Sequence, residues 1–133
     1  MRPLLADTTF FIDVMKADEK ALSKAKELEA ASTPVLVGTP TIFELYVGVG
    51  LSVRSAEEKD KVLEVLRSLI ALPLDQQSAT RGGLIYAQRS REGVEMDPED
   101  AMLAGISVEN HETLLTRDKK HFSGIADLKL ESY

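Results

Sequence analysis

The chain has 133 residues, 44% of them hydrophobic and 29% charged, with no cysteine and a formal net charge of −6 at pH 7. That is one domain's worth of chain with a core of its own. It excludes disorder, a disulfide framework, a thiolate metal site and a catalytic thiol. The longest apolar runs fall far short of a membrane span, and a protein that bound nucleic acid through bulk charge would be basic.

Apolar runs alternate with helical patterns along the chain. Leu4-Leu5-Ala6 reads as a short strand ending at Asp7, and residues 18–31 carry Ala21, Leu22, Ala25 and Leu28 at helical spacing. Val35-Leu36-Val37 is a second strand, after which Thr39 and Pro40 open a helix as N-cap and first helical residue. Residues 56–71 form an amphipathic helix through Val62, Leu63, Leu66, Leu69 and Ile70, and Leu72-Pro73-Leu74 is a brief extended piece. Residues 76–91 form a helix interrupted by Gly82-Gly83, and Asp97-Pro98 opens another through Met102, Leu103 and Ile106. Thr113–Thr116 is a strand, and Leu128-Lys129-Leu130 an edge strand. This alternation predicts an α/β fold of three layers, α/β/α, with helices on both faces of a mostly parallel sheet of four to five strands. The two consecutive helices after the second strand predict a helical hairpin projecting from the sheet. There is no internal repeat or linker, so residues 1–133 read as one domain.

The acids are unevenly spread. Residues 92–112 hold seven (Glu92, Glu95, Asp97, Glu99, Asp100, Glu109 and Glu112) and no Lys or Arg, so the rest of the chain sums to +1. In open α/β sheets ligands bind outside the carboxyl ends of the strands. Asp7 follows the first strand, Glu44 lies in the helix after the second, Asp100 opens the helix before the fourth, and Asp118 follows that strand. Each has a structural explanation. Asp7, Asp97 and Asp118 can cap helices, Asp100 suits the third helical position, and Thr41 to Glu44 matches a capping box. Asp97 is assigned to capping alone. Four carboxylates converging on one edge point instead to a shared site for Mg²⁺ or Mn²⁺, hard ions that take oxygen ligands and activate water for in-line attack on a phosphodiester.

Four segments, in this order, resemble the PIN-domain nucleases: LLADTTFFIDVMK at 4–16, TPTIFELYVG at 39–48, DAMLAGIS at 100–107 and LLTRDKKHF at 114–122, with ADLKLESY as the closing edge strand. The compact length is most similar to the VapC-like toxins of toxin–antitoxin pairs. The resemblance implies a metal-dependent endoribonuclease, with Asp7, Glu44, Asp100 and Asp118 as catalytic metal ligands. It also implies Mg²⁺ or Mn²⁺ as cofactor, an RNA substrate, a homodimer, a cognate antitoxin protein and a cytoplasmic location. Gly105 departs from the family's more usual Ala, a change expected only to loosen helix packing.

Other residues carry weaker expectations. Thr8 and Thr116 flank two of the acids and could position a water or a phosphate oxygen, or simply cap. Arg117 and Lys119 could contact the RNA backbone, the alternative being a solvated charged face. His121 beside Phe122 reads as a packing or turn residue, and Asp13 as secondary. The competing reading is a PIN-fold binding or assembly module that keeps its metal site but has little or no turnover. A response-regulator receiver is disfavoured because the first strand is followed by a lone Asp7, and a haloacid-dehalogenase phosphatase because Thr9 stands where a second Asp would be.

Overall fold

The structure is a computed structural model and describes residues 2–133. Five strands, β1 (Leu4–Ala6), β2 (Val35–Gly38), β3 (Ile70–Leu72), β4 (Thr113–Thr116) and β5 (Leu130–Ser132), form one sheet in the order β3-β2-β1-β4-β5. Every pairing is parallel, so the sheet is wholly rather than mostly parallel. β1 is the central strand, with Leu4 opposite Val35 on one side and Thr113 on the other.

Strand alternation divides the core. Leu4, Ala6, Val37 and Leu115 face one layer, built from α1 (Thr8–Met15), α2 (Glu19–Ala30), α3 (Thr39–Leu51) and α4 (Ser55–Leu66). Leu5, Leu36 and Leu114 face the other, built from α5 (Gln76–Arg91), α6 (Pro98–Glu109) and the short α7 (Lys119–Phe122). Both faces are covered, which is why the strands read as continuous apolar runs. The expected α/β/α layering is observed. Among the described residues no helix is long and apolar enough to cross a membrane.

Several boundaries differ from the sequence expectation, each for a physical reason. The N-cap of α3 is Gly38, and Pro40 and Thr41 are already buried within the helix. Thr39 instead uses its hydroxyl to accept from the Leu74 amide at 2.9 Å, tying the start of α3 to the chain leaving β3. The helix expected over 56–71 ends at Leu66. Leu69 turns back on it through its amide, and Ile70–Leu72 then pair with β2 as an exposed edge strand. Strand pairing therefore stops just before Pro73, which has no amide to donate. β5 lies two residues later than expected, aligned on β4 by Leu114 opposite Leu130. The α3–α4 hairpin does not project: Val62 of α4 is buried in the core against α1 and α3.

The α5–α6 crossing corrects the expectation for Gly105. A β-carbon at Gly105 would clash with the Ser78 carbonyl and come within 2.6 Å of the Gly82 amide nitrogen; one at Gly82 would lie 2.9 Å from the Ala101 carbonyl. The two glycines let the helix backbones touch, so Gly105 tightens this packing. Gly83, one residue on, faces open space.

Candidate active site

The strand order reverses between β1 and β4, and α/β sheets open a crevice at such a switch point. Asp7 leaves the end of β1, and Thr116 and Asp118 leave the end of β4. Asp100 reaches the same place from the first turn of α6. With His121 of α7, and with Thr9, Arg117 and Phe122, they line a cavity of about 290 Å³.

Asp7 is buried. Its carboxylate caps α1 by accepting from the Phe10 amide at 3.0 Å, and it also bonds to the buried Thr116 hydroxyl. Burial pushes its pKa up from 3.8 to about 6 against those two bonds, and the charges of Asp100 and Asp13 add to the rise. Asp100 is half-buried, with Oδ2 3.1 Å from His121 Nε2. Burial raises its pKa, the His121 ring opposes the rise, and Asp97 and Glu44 reinforce it. Asp118 is exposed and caps α7 by accepting from the His121 amide at 3.1 Å.

Glu44 sits midway along α3 and makes no capping-box bond; its neighbour is Glu99. A proton shared with Glu44, then burial, then the charges of Glu44, Asp97 and Asp100 raise Glu99 to about 7. One oxygen of Glu99 is buried without a hydrogen-bond partner. Thus Asp7, Asp100 and Asp118 share one cavity, while Glu44 joins them through its electrostatic contact with Asp100 and its pairing with Glu99. As the side chains stand, no three His, Asp or Glu among the described residues converge closely enough to enclose an ion.

The donor set nevertheless fits a hard divalent cation. It is all oxygen apart from one imidazole, and it holds more negative charge than it can keep ionised unaided. Burial is the main cause of Asp7's rise to about 6, with neighbouring carboxylates adding to it, and Glu99 reaches about 7 first through its bond to Glu44; a cation among these acids would favour their ionised forms.

The flanking residues are placed as follows. The Thr8 hydroxyl is buried and bonded to that of Thr41 at 2.9 Å, linking α1 to α3. The Thr116 hydroxyl bonds Asp7 and accepts from the Asp118 amide at 3.2 Å, so it joins two of the acids. Arg117 lines the cavity, but its guanidinium is engaged by Asp18 at 2.6 Å and Asp13 at 3.4 Å and lies 5.3 Å from the centre of the Tyr133 ring. Tyr133 in turn donates its hydroxyl proton to Asp13 at 2.9 Å. Lys119 is exposed at the start of α7.

Three residues take on contacts that the sequence reading did not assign to them. His121 contacts Asp100, and Arg89, buried in α5, donates to the His121 carbonyl at 2.9 Å and holds the α7 turn. Glu99 pairs across α3 and α6. The one local sign was the density of acids from Glu92 to Asp100, which capping and helix-dipole roles only partly absorb.

Comparison with known proteins bears on the fold and the family. The sequence profile of the PIN domain matches residues 4–128. A VapC ribonuclease of Pyrococcus furiosus is 26% identical over 134 aligned positions, covering 98% of this chain and 87% of that protein. The fold is shared with DNA-bound VapBC from Salmonella typhimurium (TM-score 0.88, 23% identity, 99% of this chain and 98% of that one). It is also shared with VapBC-5 from Mycobacterium tuberculosis, a member of the VapBC family of toxin–antitoxin systems (TM-score 0.73, 20% identity, all of both chains). A five-stranded parallel sheet with acids gathered at its switch point and a profile match spanning nearly every residue lead to one assignment: the chain belongs to the PIN domain family.

Proposed function

We propose that this protein is a metal-dependent endoribonuclease and the toxin of a toxin–antitoxin pair. The observation that carries the reading is the convergence of Asp7, Asp100 and Asp118 on one cavity, with Glu44 close enough to Asp100 to act on its charge. The similarity to a VapC ribonuclease and the fold shared with VapBC complexes support it. Asp7, Glu44, Asp100 and Asp118 would hold Mg²⁺ or Mn²⁺. The bound ion supplies a Lewis acid that polarises the phosphodiester and lowers the barrier to in-line attack by water.

The chain's own residues do the rest. Thr116 orients the Asp7 carboxylate, and His121 orients that of Asp100. Lys119 stands free at the rim to meet the RNA backbone, whereas Arg117 does so only by loosening its grip on Asp13 and Asp18. Hydrolysis leaves a 5′-phosphate and a 3′-hydroxyl. A cognate antitoxin and a second copy of the chain are the partners this reading implies, and a cytoplasmic location goes with it.

The test is cleavage of a mixed structured RNA by purified protein with Mn²⁺, with Mg²⁺ and with chelator, beside an Asp100→Asn control. Metal-dependent cutting absent from the variant is expected. A folded protein that binds Mn²⁺ and leaves the RNA intact would favour the binding-module reading.

A further inference from the structure

A second cavity adjoins the acid site and shares only His121 with it. It measures about 650 Å³, within the range of small-molecule pockets, and is lined by Tyr86, Ser90, Glu95, Met96, Asp97 and His121 among others. His121 also lines the acid cavity, so one imidazole forms the wall between the two. Asp97, the N-cap of α6, lines the second cavity, and Asp100, in the first turn of α6, lines the acid cavity.

The chemistry of this second cavity is specific. Tyr86 offers a partly exposed aromatic ring over a floor that includes the buried Met96, whereas Glu95 and Asp97 offer exposed carboxylates with no cationic partner among the described residues. Asp97 uses one oxygen to cap α6 at 2.9 Å. Carboxylates facing a polyanion repel its phosphates and accept only from its donors. In single-stranded RNA the groups that carry donors and an aromatic face are the bases, which are read by stacking and by hydrogen bonds at their Watson–Crick edges. Guanine alone presents two adjacent donors there, N1–H and the N2 amino group, which match the two oxygens of one carboxylate. This also gives a use to Glu95, and a second one to Asp97 besides capping α6.

We propose that this cavity is a guanine subsite, in which Tyr86 stacks on an unstacked base next to the scissile phosphate while Glu95 and Asp97 accept from its N1–H and N2 amino groups. The proposal rests on the ribonuclease reading for its place in catalysis, but not for base binding itself.

Two measurements separate those layers. GMP, AMP, CMP and UMP are titrated into the ion-free protein while the backbone amide resonances are followed. GMP is expected to bind about tenfold more tightly than AMP, with shifts centred on Tyr86, Met96 and Asp97. Glu95→Ala and Asp97→Asn, the latter keeping the cap, are each expected to erase that preference. No difference between the nucleotides, shifts elsewhere, or a preference unchanged in both variants would overturn the subsite whether or not the protein cuts RNA. Sequencing the ends of a cleaved random RNA pool then reads its place in catalysis. Guanine enrichment beside the cut, lost in Glu95→Ala, is expected; cleavage without it would overturn the link. A pool left intact while GMP still binds selectively would overturn the ribonuclease reading and leave the guanine site standing.

Discussion

The Asp7 carboxylate caps α1 and, on the proposed reading, would bind a metal ion in its ionised form, yet its burial favours the neutral acid. Its folded pKa of about 6 lies above the unfolded 3.8. The native state therefore holds a proton that the unfolded chain has released, and ion-free protein loses stability as pH rises from about 4 to 6. Asparagine caps as well as aspartate and carries no charge. Asp7→Asn should raise the stability of ion-free protein at pH 8 by about 1–3 kcal/mol, with little gain near pH 4, while abolishing RNA cleavage. Thermal unfolding at both pH values in chelator checks it; a variant no more stable than wild type at pH 8 would refute the buried-charge account. At this scale the sequence was readable where a residue's role follows from its position in an element. Asp7, Asp97 and Asp118 each cap the helix they precede. It was unreadable where the role depends on a distant residue. Glu99 gains its meaning from Glu44, and Arg117 turns to Asp13, Asp18 and Tyr133 for reasons no local window contains.

Elements were legible as types more than as boundaries. Apolar residues at helical spacing run from Val62 to Ile70, and nothing local says that the last of them changes into a strand; pairing with β2 decides it. The glycines of α5 show the same limit. Both lie in a helix interior, where glycine ordinarily weakens the helix. Only the approach of α6 distinguishes Gly82, packed against Ala101, from Gly83, which faces nothing. Opposite effects follow for near neighbours. Gly105→Ala and Gly82→Ala should each destabilise the protein by about 1–3 kcal/mol through overpacking. Gly83→Ala should stabilise it by about 0.5–1 kcal/mol. Denaturant titration of the three variants checks this, and a destabilised Gly83→Ala would show that α5 is packed more tightly than the structure indicates.

At the scale of the molecule, the order of strands does what no single motif does. It brings an acid from the first strand beside a strand more than a hundred residues later, and α6 adds its own acid between them. The layered α/β class was legible because each strand and helix announced itself. The strand order was not, because short parallel strands of Leu, Val and Ala carry no register of their own. The central position of β1 has a measurable effect. A chain ending at residue 112 lacks β4 and β5 and leaves Leu4, Leu5 and Ala6 unpaired along one side. Such a fragment is expected to lack a cooperative unfolding transition, as read by circular dichroism; a sharp transition would show that β1–β3 and their helices are self-sufficient.

That same pairing of β1 with β4 bears on when, during synthesis, the acids come together. Translation delivers Asp7 more than a hundred residues before Asp118, and β4, which brings them together, emerges only after β1–β3 and α1–α6. A nascent chain on the ribosome therefore carries scattered acids and no assembled centre, as does any product of premature termination before β4. On the proposed ribonuclease reading, the messenger RNA being translated meets no assembled centre until β4 has emerged.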